Sequence, residues 1–290
     1  MQDEPRSEIV IVGSLNADLV VRTERFPQPG ETLRGDDLVT LPGGKGANQA
    51  VAAARLGGRV RMIGAVGDDS NGRMLQESLT DAGVDAESVD VRADAATGTA
   101  VILVDHNGEN TIVISGGANA ALAPSDVDAV DFSRAAVLGL CLEIPIETVV
   151  AAARAASDAG ATVLTNLSPF GPVPAELLAC TDVLLVNEHE AAQLGRHDVA
   201  RVIVTRGDAG VTVHDRGEVT DLPAIAVDPV DTTGCGDAFM GAVAHRLAAG
   251  ASLVDAARYA TGVGAFAATK RGAQASYPTA DELSAFLDRR

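Results

Sequence analysis

The sequence predicts an α/β protein of three layers, α/β/α, with a mostly parallel central sheet and a small β-sheet lid. Three observations predict it. From Ala135 onward, short apolar runs alternate with helical stretches, the pattern of a parallel sheet covered on both faces. Polar residues recur where strands are expected to end, at Asn16, Asp18, Glu143, Asn187, Thr205 and Asp231. Ligands of such sheets bind at the carboxyl ends of strands. Two stretches outside the alternation, residues 20–41 and 98–115, read as short strands of a separate sheet. The expected organisation is one domain over 1–290, with a lid formed by about 17–41 and 97–116.

Taken in order, residues 8–15 (EIVIVGSL) read as a buried strand ending at Asn16-Ala17-Asp18. Asn and Asp there are common turn residues, or they hydrogen-bond substrate hydroxyls. Residues 20–41 carry Pro27, Pro29, Gly30 and Gly35 among extended pieces. The loop Pro42-Gly43-Gly44-Lys45-Gly46 leads into a helix that stops at Gly57-Gly58. It lacks the spacing of a Walker phosphate loop. Residues 60–66 form a strand, and 67–72 cap a helix reaching about Ala82. Residues 98–104 and 110–115 form a hairpin across Asp105-His106-Asn107-Gly108, with His106 a solvent-facing turn residue. Strands at 136–142, 162–166, 183–186 and 202–205 then alternate with helices at 147–159 and from Asn187 to Leu194.

Residues 227–248 (VDPVDTTGCGDAFMGAVAHRLA) are the chemically dense stretch. Phe239, Val243 and Leu247 recur at helical spacing, so Gly234-Cys235-Gly236 lies just before a helix opening at about Asp237. Glycines at a helix N-terminus let N–H groups converge on an anion. A carboxylate beside such a hole suggests a base that activates a nucleophile. The alternative is a tight turn with Asp237 as a helix cap.

Composition narrows the classes. Of the 290 residues, 40 are acidic and 22 basic, a formal charge of −18, which disfavours nucleic acid as a partner. The chain is 47% hydrophobic yet has no Trp, so its core must be Val, Ala, Leu and Ile. Cys141, Cys180 and Cys235 are too widely spaced for a disulfide framework or a metal cluster. The start MQDEPRSEIVIVG shows no signal-peptide pattern, and no apolar run reaches membrane-spanning length. The expectation is a cytoplasmic protein with no membrane contact.

The pieces GSLNADLVV, PGGKGANQA, NGENTIVISGGAN, LCLEIPIETV, VNEHEA, VTRGDAG, DTTGCGDAFMGA and KRGAQASYP, in this order, make nearly the whole chain resemble the ribokinase-like (PfkB) carbohydrate kinases. The resemblance implies the ribokinase-like fold and an ATP-dependent kinase acting on the 5-hydroxyl of D-ribose. It implies sugar contacts from Asn16, Asp18, Gly43, Gly44, Lys45, Asn48 and Glu143. Asp237 would be the general base, and the N–H groups of Gly234, Cys235 and Gly236 would hold the developing phosphoryl charge. The nucleotide would lie along Asn187, Thr205, Arg206, Gly207, Gly210, Gly236 and Thr261. Asn187 and Glu190 would organise Mg2+ through water. Asp231, Thr233, Ala267, Lys270, Gly272 and Ser276 would enclose an activating K+, several through backbone carbonyls. Partners would be ATP, a small sugar and a second copy of the chain meeting through the lid.

Two departures stand out. Cys235 places a thiol in the anion hole, where a helix N-terminus would favour its thiolate. The connection between Asn187 and Gly207 is short, with only residues 196–200 between the Glu190 helix and the next strand, so a helix usual in the family is expected to be missing. Alternatives are kinases of deoxyribose, fructose, ribose 1-phosphate or a nucleoside, or a non-catalytic sugar-binding regulator. A nicotinamide dehydrogenase is disfavoured, because Gly262-Val263-Gly264 comes too late in the chain for the fingerprint of that fold.

Overall fold

The computed structural model describes residues 6–290. The polar lead of the expected leaderless start, residues 1–5, lies outside the described residues. β1 (Glu8–Val12) is buried along its whole length, because Ile9 and Ile11 face one core while Val10 and Val12 face another. β2 (Asn16–Arg22) and β3 (Val39–Gly43) belong to a small sheet. α1 (Lys45–Arg55) and β4 (Arg59–Gly67) return to the core. α2 (Ser70–Asp81) begins where Asp69 accepts the Gly72 N–H at 2.8 Å. β5 (Asp85–Arg92) is an edge strand. β6 (Gly98–Val104) and β7 (Asn110–Ser115) form the expected hairpin, and His106 at its turn is exposed.

The second half alternates: α3 (Pro124–Asp128), β8 (Ala135–Leu140), α4 (Ile146–Asp158), β9 (Thr162–Asn166), α5 (Ala175–Cys180), β10 (Val183–Asn187), α6 (Glu188–Leu194) and β11 (Arg201–Thr205). β12 (Val211–Asp215) and β13 (Glu218–Leu222) add an antiparallel edge. α7 (Cys235–Ala248), α8 (Leu253–Ala268) and α9 (Ala280–Leu287) close the chain. The nine-stranded sheet has the order β13-β12-β11-β10-β9-β8-β1-β4-β5, and its pairs from β11 to β5 are all parallel. α1, α7 and α8 pack on one face, while α4 and α5 pack on the other. This is the three-layer α/β/α arrangement with a smaller sheet. No helix among the described residues is long and apolar enough to cross a membrane.

The small sheet has the order β3-β2-β6-β7. Asn16 lies opposite both Gly43 and Gly98, and Thr99 lies opposite Ser115. The chain passes between the sheets at residues 13–15, 43–44, 97–98 and 116–117, so all four passages fall along one row.

Three expectations about strand ends change, at Asn16, Asp18 and Asp231; Asp18 lies within β2 rather than at the end of a strand. β1 stops at Val12, and Asn16 opens a strand of the small sheet rather than closing one of the large sheet. Gly13 passes against Gly46 of α1, where a Cβ would lie 2.9 Å from the Gly46 Cα, so a glycine is needed where the chain crosses to the small sheet. Asp231 follows no strand either. The backbone N–H groups of Val230 and Asp231 donate to the Ala268 carbonyl, which ties this loop to the end of α8 instead of to a sheet. The short connection behaves as expected: α6 ends at Gly195 with φ 67°, and residues 196–200 reach β11 without a second helix.

Candidate active site

The site forms where α7 begins beneath the small sheet. Gly234 adopts the left-handed conformation, φ 72°, and its missing side chain leaves room for Tyr277. The Tyr277 hydroxyl donates to the Gly234 carbonyl at 3.1 Å. The helix therefore starts at Cys235, two residues earlier than the sequence suggests, and Asp237 sits in its first turn. Gly234, Gly236 and Asp237 rim an open cleft faced by Lys45, Asn166, Asn187, Glu190 and Thr205. A Cβ on Gly236 would meet nothing within 4 Å, so a side chain there would stand in free space.

Asp237 does not cap its helix. Its carboxylate, buried at 6% exposure, accepts from the Asn48 amide at 3.1 Å on one oxygen and from the Gln49 amide at 3.0 Å on the other. Both donors lie on α1, which packs against α7. The helix-cap reading of Asp237 is therefore set aside.

Cys235 requires two corrections. Its N–H donates to the Thr232 carbonyl at 3.2 Å, so it is engaged within the turn and not aimed into the cleft. Its thiol is pushed up to about 12, first by burial and then by the neighbouring carboxylates of Asp231 and Asp237. The helix N-terminus does not make it a thiolate.

A second cluster lies beside Asp237. Glu143 accepts from the Ser14 hydroxyl at 2.6 Å, the Asn16 amide at 3.3 Å and the Lys45 backbone N–H at 3.1 Å. Asn16 is oriented by Asn119, whose amide donates to the Asn16 side-chain oxygen at 2.8 Å and brackets the Leu15 peptide. Asp18 lies on β2 against Gly43, where any Cβ would fall 2.1 Å from a carboxylate oxygen. Burial, then the charges of Glu143 and Asp237, raise Asp18 to about 7, with Lys45 pulling the other way. Burial works against the Lys45 ammonium, but Asp237 and Glu143 outweigh it and hold that group above its usual range. Gly44, with φ 88°, would drive a Cβ to 2.6 Å from the Asn16 N–H. Four side chains that organise this cluster carry no role in the sequence reading: Ser14, Gln49, Asn119 and Gln274.

A model of the pfkB family of carbohydrate kinases matches residues 6–280. The chain belongs to that family. It is similar to the ribokinase of Haemophilus influenzae, 35% identical and covering 98% of this chain and 99% of the relative. It is also similar to the deoxyribokinase of Salmonella typhi, 34% identical over 97% of this chain and 98% of the relative. A solved ribokinase of Arabidopsis thaliana, complexed with ribose and ATP, superposes with a TM-score of 0.88 at 31% identity, covering 97% and 98% of the two chains.

The remaining positions expected of a carbohydrate kinase separate into three groups. Asn187 and Glu190 form a reciprocal cap on α6: each backbone N–H meets the other's side-chain oxygen at 2.8 Å. That cap holds the buried Glu190 carboxylate at the cleft wall. Thr205 ends β11 at the cleft, while Arg206 turns outward and pairs with Asp221 at 3.1 Å. Gly207 and Gly210 shape the following turn, and the Thr261 hydroxyl donates to its own helix at Ala257. Asp231 accepts from the N–H groups of Thr233 at 2.9 Å and Gly272 at 3.0 Å, tying the α7 approach to the loop after α8. Ala267, Lys270, Gly272 and Ser276 all lie on or beside that loop. The Lys270 ammonium points elsewhere, over the Phe266 ring and toward Glu282. The side chains of Asp231, Thr233 and Ser276 offer oxygen, the donor type a hard cation takes, and each Asp231 oxygen already accepts one N–H group.

Proposed function

We propose that this carbohydrate kinase transfers the γ-phosphoryl group of ATP to the 5-hydroxyl of D-ribose, giving ribose 5-phosphate and ADP. One observation carries the reading: a buried carboxylate, Asp237, lies at the glycine-lined start of α7, facing Lys45 across the cleft. Asp237 accepts the proton of the sugar hydroxyl as its oxygen attacks the γ-phosphorus. The bond from that phosphorus to the bridging oxygen breaks, and the electron pair leaves with ADP. The Gly234 and Gly236 N–H groups and the α7 dipole stabilise the charge on the transferring group. The Cys235 N–H joins them only by exchanging its bond to Thr232. Phosphoryl transfer asks mainly for positioning and charge stabilisation, and this site supplies both.

Asn16, Asp18, Gly43, Gly44, Lys45, Asn48 and Glu143 hold the sugar in this reading. Carboxylates accept from hydroxyl pairs, and carboxamides both give and accept. Thr205, Arg206, Gly207, Gly210 and Thr261 border the nucleotide. Asn187 and Glu190 would hold Mg2+ through water, and the ion would neutralise phosphate charge. Asp231, Thr233, Ala267, Lys270, Gly272 and Ser276 would hold K+, which would order the loop beside α7. The described residues, 6–290, form one domain in this reading, with 17–41 and 97–116 as its lid. Three free cysteines and two phosphorylation substrates fit a cytoplasmic setting. A second copy pairs through the lid, where Ile112, Val113 and Ile114 on the outer strand β7 are all exposed. A deoxyribose kinase is the second reading, favoured by the likeness to a deoxyribokinase.

The test is an ADP-release assay over D-ribose, 2-deoxyribose, fructose, adenosine, cytidine and ribose 1-phosphate. D-ribose is expected to give the highest kcat/KM. A tenfold better rate constant for any other substrate would reject ribose. Asp237→Asn is expected to lower kcat by ~10²–10⁴-fold with sugar binding retained; near-normal turnover would remove Asp237 from the chemistry.

A further inference from the structure

Asn48 donates to Asp237, but a carboxamide can present either end. The Asp237 carboxylate, which only accepts, calls for the amide end, and the groups behind Asn48 are arranged to match. The Ser78 hydroxyl of α2 donates to the Gln274 side-chain oxygen at 2.8 Å. The Gln274 amide donates to the Asn48 side-chain oxygen at 3.1 Å. The Asn48 amide donates to Asp237 at 3.1 Å. Every link runs in one direction, donor to acceptor, and ends on the carboxylate. Reversing Asn48 would set its oxygen against Asp237, acceptor against acceptor, and its amide against the Gln274 amide, donor against donor. Gln274 and Asn48 are each 6% exposed, so water cannot readily repair either mismatch.

We propose that Gln274 is a positioning residue for phosphoryl transfer, fixing through Asn48 the orientation of the Asp237 carboxylate. The role rests on the reading of Asp237 as the base. Gln274 sits in the short turn Gln274–Ser276, in the loop joined to Asp231 through Gly272. The relay therefore couples that loop to the reacting carboxylate through Asn48, while Gln274 itself lies outside the cleft lining. Gln49 holds the second Asp237 oxygen independently, so loss of the relay loosens the base without releasing it.

The test compares Gln274→Met, similar in shape but unable to donate, with the parent protein. Expected is a kcat lower by on the order of 10-fold, with KM for ribose and ATP changed less than threefold. Combining it with Asn48→Ala is expected to add no further loss in kcat beyond Asn48→Ala alone. Ser78→Ala, at the partly buried start of the relay, is expected to lower kcat in the same direction by less, and it decides the matter if Gln274→Met does not fold. Unchanged kcat in the folded variants, equal changes in kcat and both KM values, or additive losses in the double variant would each overturn the relay. Such a failure is distinct from failure of the base: an inactive Asp237→Asn beside a normal Gln274→Met rejects the relay and keeps Asp237, whereas an active Asp237→Asn rejects both.

Discussion

Asp18 is a carboxyl strongly altered by its surroundings. Burial and two neighbouring carboxylates bring it to about 7, against 3.8 in an unfolded chain. Between those values the folded protein keeps a proton that the unfolded chain has released. Its contribution to stability is therefore full below 3.8 and lost as pH rises through about 7. Asp18→Asn removes the buried charge and is expected to raise Tm at pH 8 more than at pH 5, at about 1–2 °C for each kcal/mol relieved. The same substitution should weaken ribose binding, because an amide replaces an acceptor facing sugar hydroxyls. In the parent protein, the KM for ribose should rise as pH falls below 7 and protonates this acceptor. A Tm gain equal at both pH values, or a KM flat from pH 8 to 6, would contradict this account. Cys235 offers the opposite case. With its thiol at about 12, iodoacetamide at pH 8 is expected to inactivate the parent no faster than Cys235→Ala. Rapid inactivation that ATP and ribose prevent, seen in the parent alone, would reverse that expectation.

Among elements, α7 and the loop after α8 act together, because Asp231 bonds both the Thr233 and the Gly272 N–H. Replacing K+ by a large organic cation, at fixed Mg2+ and ionic strength, is expected to lower turnover; equal rates in both salts would argue against a cation in that loop. Which elements the sequence reveals follows from where each one is buried. β1 is legible because both faces are covered and its residues after Glu8 are all apolar. β5 is not, since Val89 alone of its residues is buried and the strand carries charge at the sheet edge. The β12–β13 hairpin turns at Arg216-Gly217, both with positive φ, a turn signal present in the sequence that an alternation of strands and helices obscures. In the site, Asp237, Lys45 and Glu143 are legible as charged groups at glycine turns or expected strand ends. Gln49, Asn119 and Gln274 are not, because a carboxamide shows its use only when its two partners are in place, and each of these has a partner more than a hundred positions away.

At the scale of the whole molecule, the outer strand of the small sheet is the least covered apolar surface. Ile112, Val113 and Ile114 stand 45–65% exposed in succession. If two copies meet there, Ile112→Ser with Ile114→Ser is expected to shift sedimentation from dimer to monomer, whereas an unchanged sedimentation coefficient would place any contact elsewhere. The way the two sheets are joined carries a mechanical consequence. All four passages between them fall along one row of the small sheet, and glycines stand at each: Gly13, Gly43 with Gly44, Gly98, and Gly116 with Gly117. At Gly43, Gly44, Gly98 and Gly117 a Cβ would collide within 2.6 Å of its neighbour. Two plates fastened along a single line by tightly fitted knuckles form a piano hinge. Such a joint resists shear and twist and swings about one axis. Displacement about such a line would grow with distance from it: the turn at His106 would travel far, Asp18 a little, and Asn16 hardly at all. A sugar held at Asn16, as proposed, would then keep its grip through the swing.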